Sequence, residues 1–384
     1  MTIKEIGTVC CIGAGNMGCF NAIKAAISGY DVVVYDIDEE HLQQADQHFQ
    51  GLTAFLVGSA YCAEQDIAPA LARVSLVADL ELATARADLV TESVFERLQI
   101  KREVHRKLDQ VCPAHTLLTT NSSNLLVSDI EDAVSRGDRF AARHSYMASP
   151  LVDIVGGPRT SPATIDILQR YVASINAVPL VLKKEYPGYV LNAVLGPVLT
   201  TALFLLAEGV ADCEQVDRAW MQHRSAPMGP LGMLDLIGLG LVYDSWLNRE
   251  DEGPIPGLRP RVLELLRPFV EREHLGMQSG QGFYRYPEPG YQQPGFLEVG
   301  ENAVDVYGPL EMALVASAVV VAAHDVADPA DIDKAWMVGT SLDAGPFTLL
   351  EQMGIPQFLG MFTEHVAAGR FDPDRARLVM EYLA

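Results

Sequence analysis

The stretch TVCCIGAGNMGCFNAIKAAISGYDVVVYD, residues 8–36, constrains the fold of this chain more than any other. TVCCIGAG reads as a short buried strand of the kind found in parallel sheets. Gly13-Ala14-Gly15-Asn16-Met17-Gly18 follows at once as GxGxxG. NAIKAAISG reads as a helix closed by Gly29, and DVVVYD as a second strand ending in Asp36. Each glycine has its own task in such a unit. Gly13 permits the tight turn, Gly15 lets backbone approach a pyrophosphate, and Gly18 lets the helix pack on the strand. The helix N-terminus offers unpaired N–H groups to the phosphates. Asp36 falls where a carboxylate takes both ribose hydroxyls of NAD and repels the 2′-phosphate of NADP. The expected cofactor is therefore NAD, held by Gly13, Gly15, Gly18 and Asp36. The plain alternatives are a glycine-rich turn without a ligand and an Asp36 that only solvates a strand end.

The alternation continues. RVSLVADL, ADLVTESV, TLLTTNSS and VPLVLKK (178–184) read as further strands with helical stretches between them. A doubly wound Rossmann sheet over residues 1–184 follows. The full 384 residues leave room for one or two further domains. A formal net charge of −22 argues against nucleic acid or an anionic membrane as partner, because both want basic patches. The apolar stretch 190–211 is long enough to suggest a membrane span. It carries Asn192, Pro197 and Glu208, so a buried core helix is expected. MTIKEIG runs into an apolar strand with no sign of a signal peptide. Six cysteines without metal-ligand or paired spacing suggest no metal site and a reduced, cytosolic protein.

A dehydrogenase acting on an alcohol needs a base near neutral pH and a group to orient it. His144 follows the strand-like FAARH, and Asp153 lies nine residues on in the strand-like PLVDIV. A loop between them can bring carboxylate and imidazole together, fixing the tautomer. Spacing alone leaves His144 open to a structural reading. Asn121, Ser122, Ser123 and Asn124 form a polar cluster after a strand, which as easily makes a turn or helix cap. Asn192, inside the apolar helix, either satisfies backbone or faces a polar site.

Taken in order, GAGNMG, DLVTESVFERLQIK, TTNSSNLLVSDI, RFAARH with PLVDIV, PGYVLNAVLGP, APMGPLGMLDLIGL and SGQGFYRY resemble the L-3-hydroxyacyl-CoA dehydrogenase family over most of residues 7–287. The resemblance implies NAD-dependent interconversion of a 3-hydroxyacyl-CoA and a 3-oxoacyl-CoA, the chemistry of fatty acid metabolism. It makes His144 the general base, Ser123 a hydrogen-bond partner of the substrate oxygen, and Asn192 a positioning group. Asp153 falls where the family has a glutamate paired with the histidine, and Glu96 and Lys101 fall at cofactor-contacting positions. Four departures stand out. The loop HSYMASP is shorter than the family's, Met147 stands in place of an asparagine, and Asp153 is one methylene shorter than glutamate. Residues 25–72, where coenzyme A-using members supply positive charge, hold no Lys or Arg. Cations for a nucleotide tail must then come from elsewhere, such as Arg97 or Arg102, or the substrate is a small free 3-hydroxy acid. A catalytically silent binding relative is a further reading. The 3-hydroxyisobutyrate and 6-phosphogluconate dehydrogenases share GxGxMG, but their catalytic lysine motif is represented only by KKEYPGYVLN.

The second half repeats itself. Residues 210–238 and 326–354 align without gaps at an offset of 116, sharing Asp217/Asp333, Trp220/Trp336, Gly229/Gly345, Pro230/Pro346 and Gly238/Gly354. So many matches in one register indicate a duplicated helical unit. Gly308 stands opposite Asn192, so the second copy reads as structural. The expected architecture is α/β plus all-α: a Rossmann domain (1–184), a helical domain (185–290) and its structural copy (304–384), joined by a Pro- and Gly-rich linker at 287–303. In short family members the helical domain pairs with its twin across a dimer. Here the second copy is expected to supply that partner internally, giving a monomer or a dimer through another surface.

Overall fold

The computed structural model describes residues 6–147, 149–249, 255–300 and 304–384. Ala148 of the HSYMASP loop and the last three residues of the 287–303 segment lie outside that set. Two compact units are present, residues 1–189 with 338–340, and residues 190–337 with 341–384.

The first unit is an eight-stranded sheet: β1 (Thr8–Ile12), β2 (Asp31–Tyr35), β3 (Val74–Val77), β4 (Leu89–Glu92), β5 (Leu117–Thr120), β6 (Phe140–Ser145), β7 (Leu151–Gly156) and β8 (Val178–Val181). Its helices are α1 (Asn16–Ile27), α2 (Glu39–Gly58), α3 (Glu64–Leu71), α4 (Leu80–Thr84), α5 (Leu98–Val111), α6 (Val127–Ile130) and α7 (Pro162–Ser174). Strand order is β3-β2-β1-β4-β5-β6-β7-β8, with β6 and β7 the antiparallel pair. The order reverses between β1 and β4, the switch point where ligands bind in open α/β sheets. Val9, Cys10, Cys11 and Ile12 of β1 and Leu89 and Val90 of β4 are buried, as strands covered on both faces must be. The unit runs on to Tyr189 rather than ending at 184. The reason is local: the Tyr189 hydroxyl donates to the Ser122 carbonyl at 2.7 Å, and its ring stacks on His144.

The second unit is helical: α8 (Leu191–Ala207), α9 (Cys213–Arg224), α10 (Pro230–Ile237), α11 (Leu239–Leu247), α12 (Arg259–Glu271), α13 (Tyr307–Ala323), α14 (Pro329–Thr340), α15 (Pro346–Met353), α16 (Ile355–Ala367) and α17 (Pro373–Leu383). The apolar 190–211 stretch is the core helix α8, and no helix of the described residues is long and apolar enough to cross a membrane. Helices α13, α14 and α15 start 116 residues after α8, α9 and α10, the offset seen in the sequence. The shared residues do the same work twice. Asp217 accepts from Leu231 N (2.8 Å) and Gly232 N (2.9 Å), and Asp333 from Phe347 N (2.7 Å) and Thr348 N (2.9 Å). Each aspartate thus satisfies orphan donors at a helix start. A Cβ on Gly229 or Gly345 would come within 2.3 Å of that carboxylate carbon.

The two copies pack against each other within this one unit. Helix α13 lies along α8 and is buried on nearly every side. Trp220 meets Trp336 edge-on with centroids 6.3 Å apart, His223 stacks on Tyr307 at 4.1 Å, and Arg224 donates to the Ala344 carbonyl at 2.6 Å. The segment expected as a loose linker is partly docked. Tyr291 and Phe296 are buried, and Arg218 and Gln222 of α9 donate to the carbonyls of Phe296, Leu297 and Val299. Its two aromatic rings, which a solvated linker would not carry, are what draw it onto the helices.

Candidate active site

The nucleotide-binding turn is built as the glycine spacing requires. Gly13 has φ +101°, and a Cβ there would lie 2.8 Å from the Ser93 carbonyl oxygen. A Cβ on Gly18 would meet the Gly13 oxygen at 1.8 Å, so only glycine lets α1 sit this close to β1. Gly15 faces open space within 4 Å, and it begins α1 without a side-chain cap or an acidic residue in the first turn. That leaves a helix N-terminus ready for anionic phosphates. Asp36 is fixed at the end of β2. Its Oδ2 accepts from Ala14 N at 2.8 Å and its Oδ1 from Asp38 N at 3.0 Å. Oδ1 also faces His41 Nδ1 at 3.4 Å, while Oδ2 keeps a lone pair for a ribose hydroxyl. These residues fit a dinucleotide with an unphosphorylated ribose.

Beyond the switch point, three side chains converge. In the antiparallel ladder His144 lies directly opposite Asp153, so both side chains leave the same face of the sheet. His144 Nδ1 is 3.2 Å from Asp153 Oδ2, and His144 Nε2 is 3.1 Å from Ser123 Oγ. Both His144 and Asp153 are buried, while Ser123 is half-buried. The imidazole is clamped by Tyr189, stacked at 5.0 Å, and by Tyr146, edge-on at 4.4 Å.

The 121–124 cluster is a turn, held from one side by a glutamate. Glu96 Oε1 accepts from the Ser122 hydroxyl, from Ser123 N (3.0 Å) and from Asn124 N (3.2 Å). Asn121 Oδ1 accepts from Ser145 N at 2.9 Å, closing the ends of β5 and β6 together. Lys101 is fully buried. Its ammonium donates to Glu92 Oε1 (2.7 Å) and Val94 O (3.4 Å) and pairs with Glu96 Oε2 (3.3 Å). All three donors are thus directed to protein atoms. Glu92, at the end of β4, also meets His105 at 3.2 Å and accepts from Thr120 Oγ1 at 2.8 Å. Burial would push its carboxyl up, but His105 and Lys101 outweigh this and hold it at about 2. Asn192 lies half-buried in the first turn of α8, in the helical unit.

Sequence reasoning missed Glu92, His105, Tyr146 and Tyr189. Tyr146 had a signal in its closeness to His144, two residues on and one past the end of β6. The cation-poor surface is broader than the sequence suggests. Lys24, the last cation before the gap, is buried beside the rings of Phe20 and Tyr61, 5.3 and 4.9 Å away. Burial and then Arg143 pull its pKa down to about 8. Arg102 is engaged with the Asp129 carbonyl at 2.6 Å.

A reversed sheet with this glycine turn and Asp36, beside the hydrogen-bonded set Ser123, His144 and Asp153, has the parts of an NAD-dependent dehydrogenase. Residues 8–186 match the family described as 3-hydroxyacyl-CoA dehydrogenase, NAD binding domain, and residues 188–286 that described as 3-hydroxyacyl-CoA dehydrogenase, C-terminal domain. The chain is 32% identical over 294 residues to a probable 3-hydroxybutyryl-CoA dehydrogenase of Bacillus subtilis, covering 74% of this chain and 99% of that one. It therefore belongs to the 3-hydroxyacyl-CoA dehydrogenase family. It is 34% identical to a diketoreductase of solved structure, described as catalysing reactions of dicarbonyl compounds, with a TM-score of 0.68 over 74% of this chain and 100% of that one. The 3-hydroxybutyryl-CoA dehydrogenase of Escherichia coli K12 has the same fold over 99% of this chain and 100% of its own, with a TM-score of 0.78 at 23% identity.

Proposed function

We propose that the chain oxidises an L-3-hydroxyacyl-CoA to the 3-oxoacyl-CoA, and catalyses the reverse, with His144 as general base. The observation that carries this is the relay from Ser123 through His144 to Asp153. Bound NAD supplies the hydride acceptor. Ser123 Oγ holds the substrate hydroxyl oxygen, and His144 Nε2 takes its proton as the carbonyl forms. The Nδ1–H stays directed at Asp153, whose carboxylate offsets the charge of the imidazolium. In the reverse direction the imidazolium returns the proton. Glu96 fixes the turn that carries Ser123, and Lys101 in turn orients Glu96. Asn192 is assigned to positioning the reacting group, as in the family. Asp36 selects NAD over NADP. The second helical copy takes the place of a dimer partner, which makes the protein a monomer or a dimer through a different face. Six cysteines in no disulfide support a cytosolic setting.

One observation favours a second reading, a small 3-hydroxy acid or dicarbonyl without coenzyme A. Residues 25–72 hold eight acidic side chains and no Lys or Arg, and Lys24 is buried. A polyanionic carrier finds no charge-assisted partner there. NADH formation with matched pairs of 3-hydroxyacyl thioesters and free 3-hydroxy acids decides between them. A kcat/KM for the thioester above that for the acid supports the first reading, and the opposite order the second.

A further inference from the structure

Asp153 is fully buried, yet its Oδ1 has no hydrogen-bond partner among the described residues. Everything that fixes the rotation of this carboxylate acts on Oδ2. Two donors meet there: His144 Nδ1 at 3.2 Å and the Tyr146 hydroxyl at 2.6 Å. The imidazole contact is long for a charge-assisted N–H···O bond, whereas the phenol contact is short and strong. The carboxylate is therefore seated by the tyrosine and reaches the histidine from that seat. The geometry follows from the chain. Tyr146 lies two residues beyond His144 and one past the end of β6, and its ring packs edge-on against the imidazole. The same ring carries the hydroxyl to the aspartate across the ladder. A carboxylate with one methylene fewer has less reach, and the phenol holds it at the one position from which the imidazole is in range.

We propose that Tyr146 is a positioning residue for the His144–Asp153 pair, its hydroxyl locking the Asp153 carboxylate in the orientation the base requires. This rests on His144 being the general base. The ring and the hydroxyl have separate tasks: the ring walls the imidazole, and the hydroxyl holds Asp153.

Tyr146→Phe separates them, since it keeps the ring. Losing one hydrogen bond to a charged group corresponds to about a tenfold effect. The expected result is a kcat lowered about tenfold with KM within about twofold and NADH affinity, read by fluorescence titration, unchanged. Removing the hydroxyl also leaves space for one methylene. Adding Asp153→Glu to Tyr146→Phe should therefore recover most of kcat, because the longer carboxylate reaches the imidazole unaided. A purely structural tyrosine would give no such rescue. Wild-type kcat in Tyr146→Phe, a parallel loss of NADH affinity, or no rescue in the double variant would each overturn the proposal. His144→Gln separates the two layers. If it retains the wild-type rate, the base reading fails and takes this proposal with it. If it is inactive while Tyr146→Phe is unimpaired, only the role of Tyr146 falls.

Discussion

Asp36 and His144 bear on different steps, and their substitution should separate binding from chemistry. Asp36 holds the backbone of the glycine turn through Ala14 N as well as facing the expected ribose. Asp36→Ala should weaken NAD and relax discrimination against NADP, by roughly 1.5–3 kcal/mol for each charge-assisted bond lost. Isothermal titration with both cofactors checks this, and NADP binding tighter than NAD in the unsubstituted protein would sink it. His144→Ala should leave NAD binding nearly intact and cut turnover by ~100- to 10,000-fold. Asp153→Asn should also slow the reaction, by favouring the wrong tautomer. At this scale the glycine turn and Asp36 were readable from their place after β1 and β2, whereas Ser123, His144 and Asp153 were singled out by the family resemblance, since spacing alone left each open to a structural reading. Tyr146 and Glu92 were not picked out. Their partners, Asp153 and the pair Lys101 and His105, are set by strand register and by how α5 packs.

Among the elements, the end of β4 has the most to lose from a single change. Glu92 ties β4 to α5 through Lys101 and His105 and to β5 through Thr120. Its carboxyl is held at about 2, against an ordinary value of 4.5. A depressed acid stabilises the fold fully above its unfolded value, and that contribution is lost as pH falls through the folded value. The network should therefore contribute on the order of 3 kcal/mol at neutral pH, declining between about pH 4.5 and about pH 2. Glu92→Gln leaves Lys101 buried with a weaker partner and should cost about 3–5 kcal/mol. Urea unfolding at pH 7 and at pH 3 tests this, and the gap between wild type and variant should narrow at the lower pH. A gap that widens there would contradict the assignment. The strands themselves were readable from apolar runs and turn residues. The docking of 290–298 was not, because Pro and Gly mark a bend equally well whether or not neighbouring aromatics bury it.

For the molecule as a whole, the repeat is the dominant feature. Its period was plain in the sequence, and the paired Asp217 and Asp333 show what the shared residues are for. That the second copy packs on the first was expected from the repeat; what the sequence alone left open was which faces meet, since helix packing depends on faces rather than on order along the chain. With α13 laid along α8, the intact protein should be a monomer, or a dimer through another face. Deleting 304–384 should uncover apolar surface well beyond the few hundred Å² that monomers tolerate, giving aggregation or a new dimer. Light scattering on both proteins checks it. A truncated chain that remains a soluble, active monomer would show the second copy to be dispensable.

The proposed reaction passes hydride directly from a 3-hydroxyacyl carbon to NAD, while His144, aligned by Asp153 and adjacent to Ser123, takes the hydroxyl proton. Following NADH absorbance with a series of L-3-hydroxyacyl-CoA substrates and their free acids, for the wild type and for His144→Ala, tests it most directly. The account predicts NADH formation by the wild type and a loss of at least about 100-fold in the variant. Absence of NADH with every thioester and every free acid, or a His144→Ala variant at the wild-type rate, would contradict it.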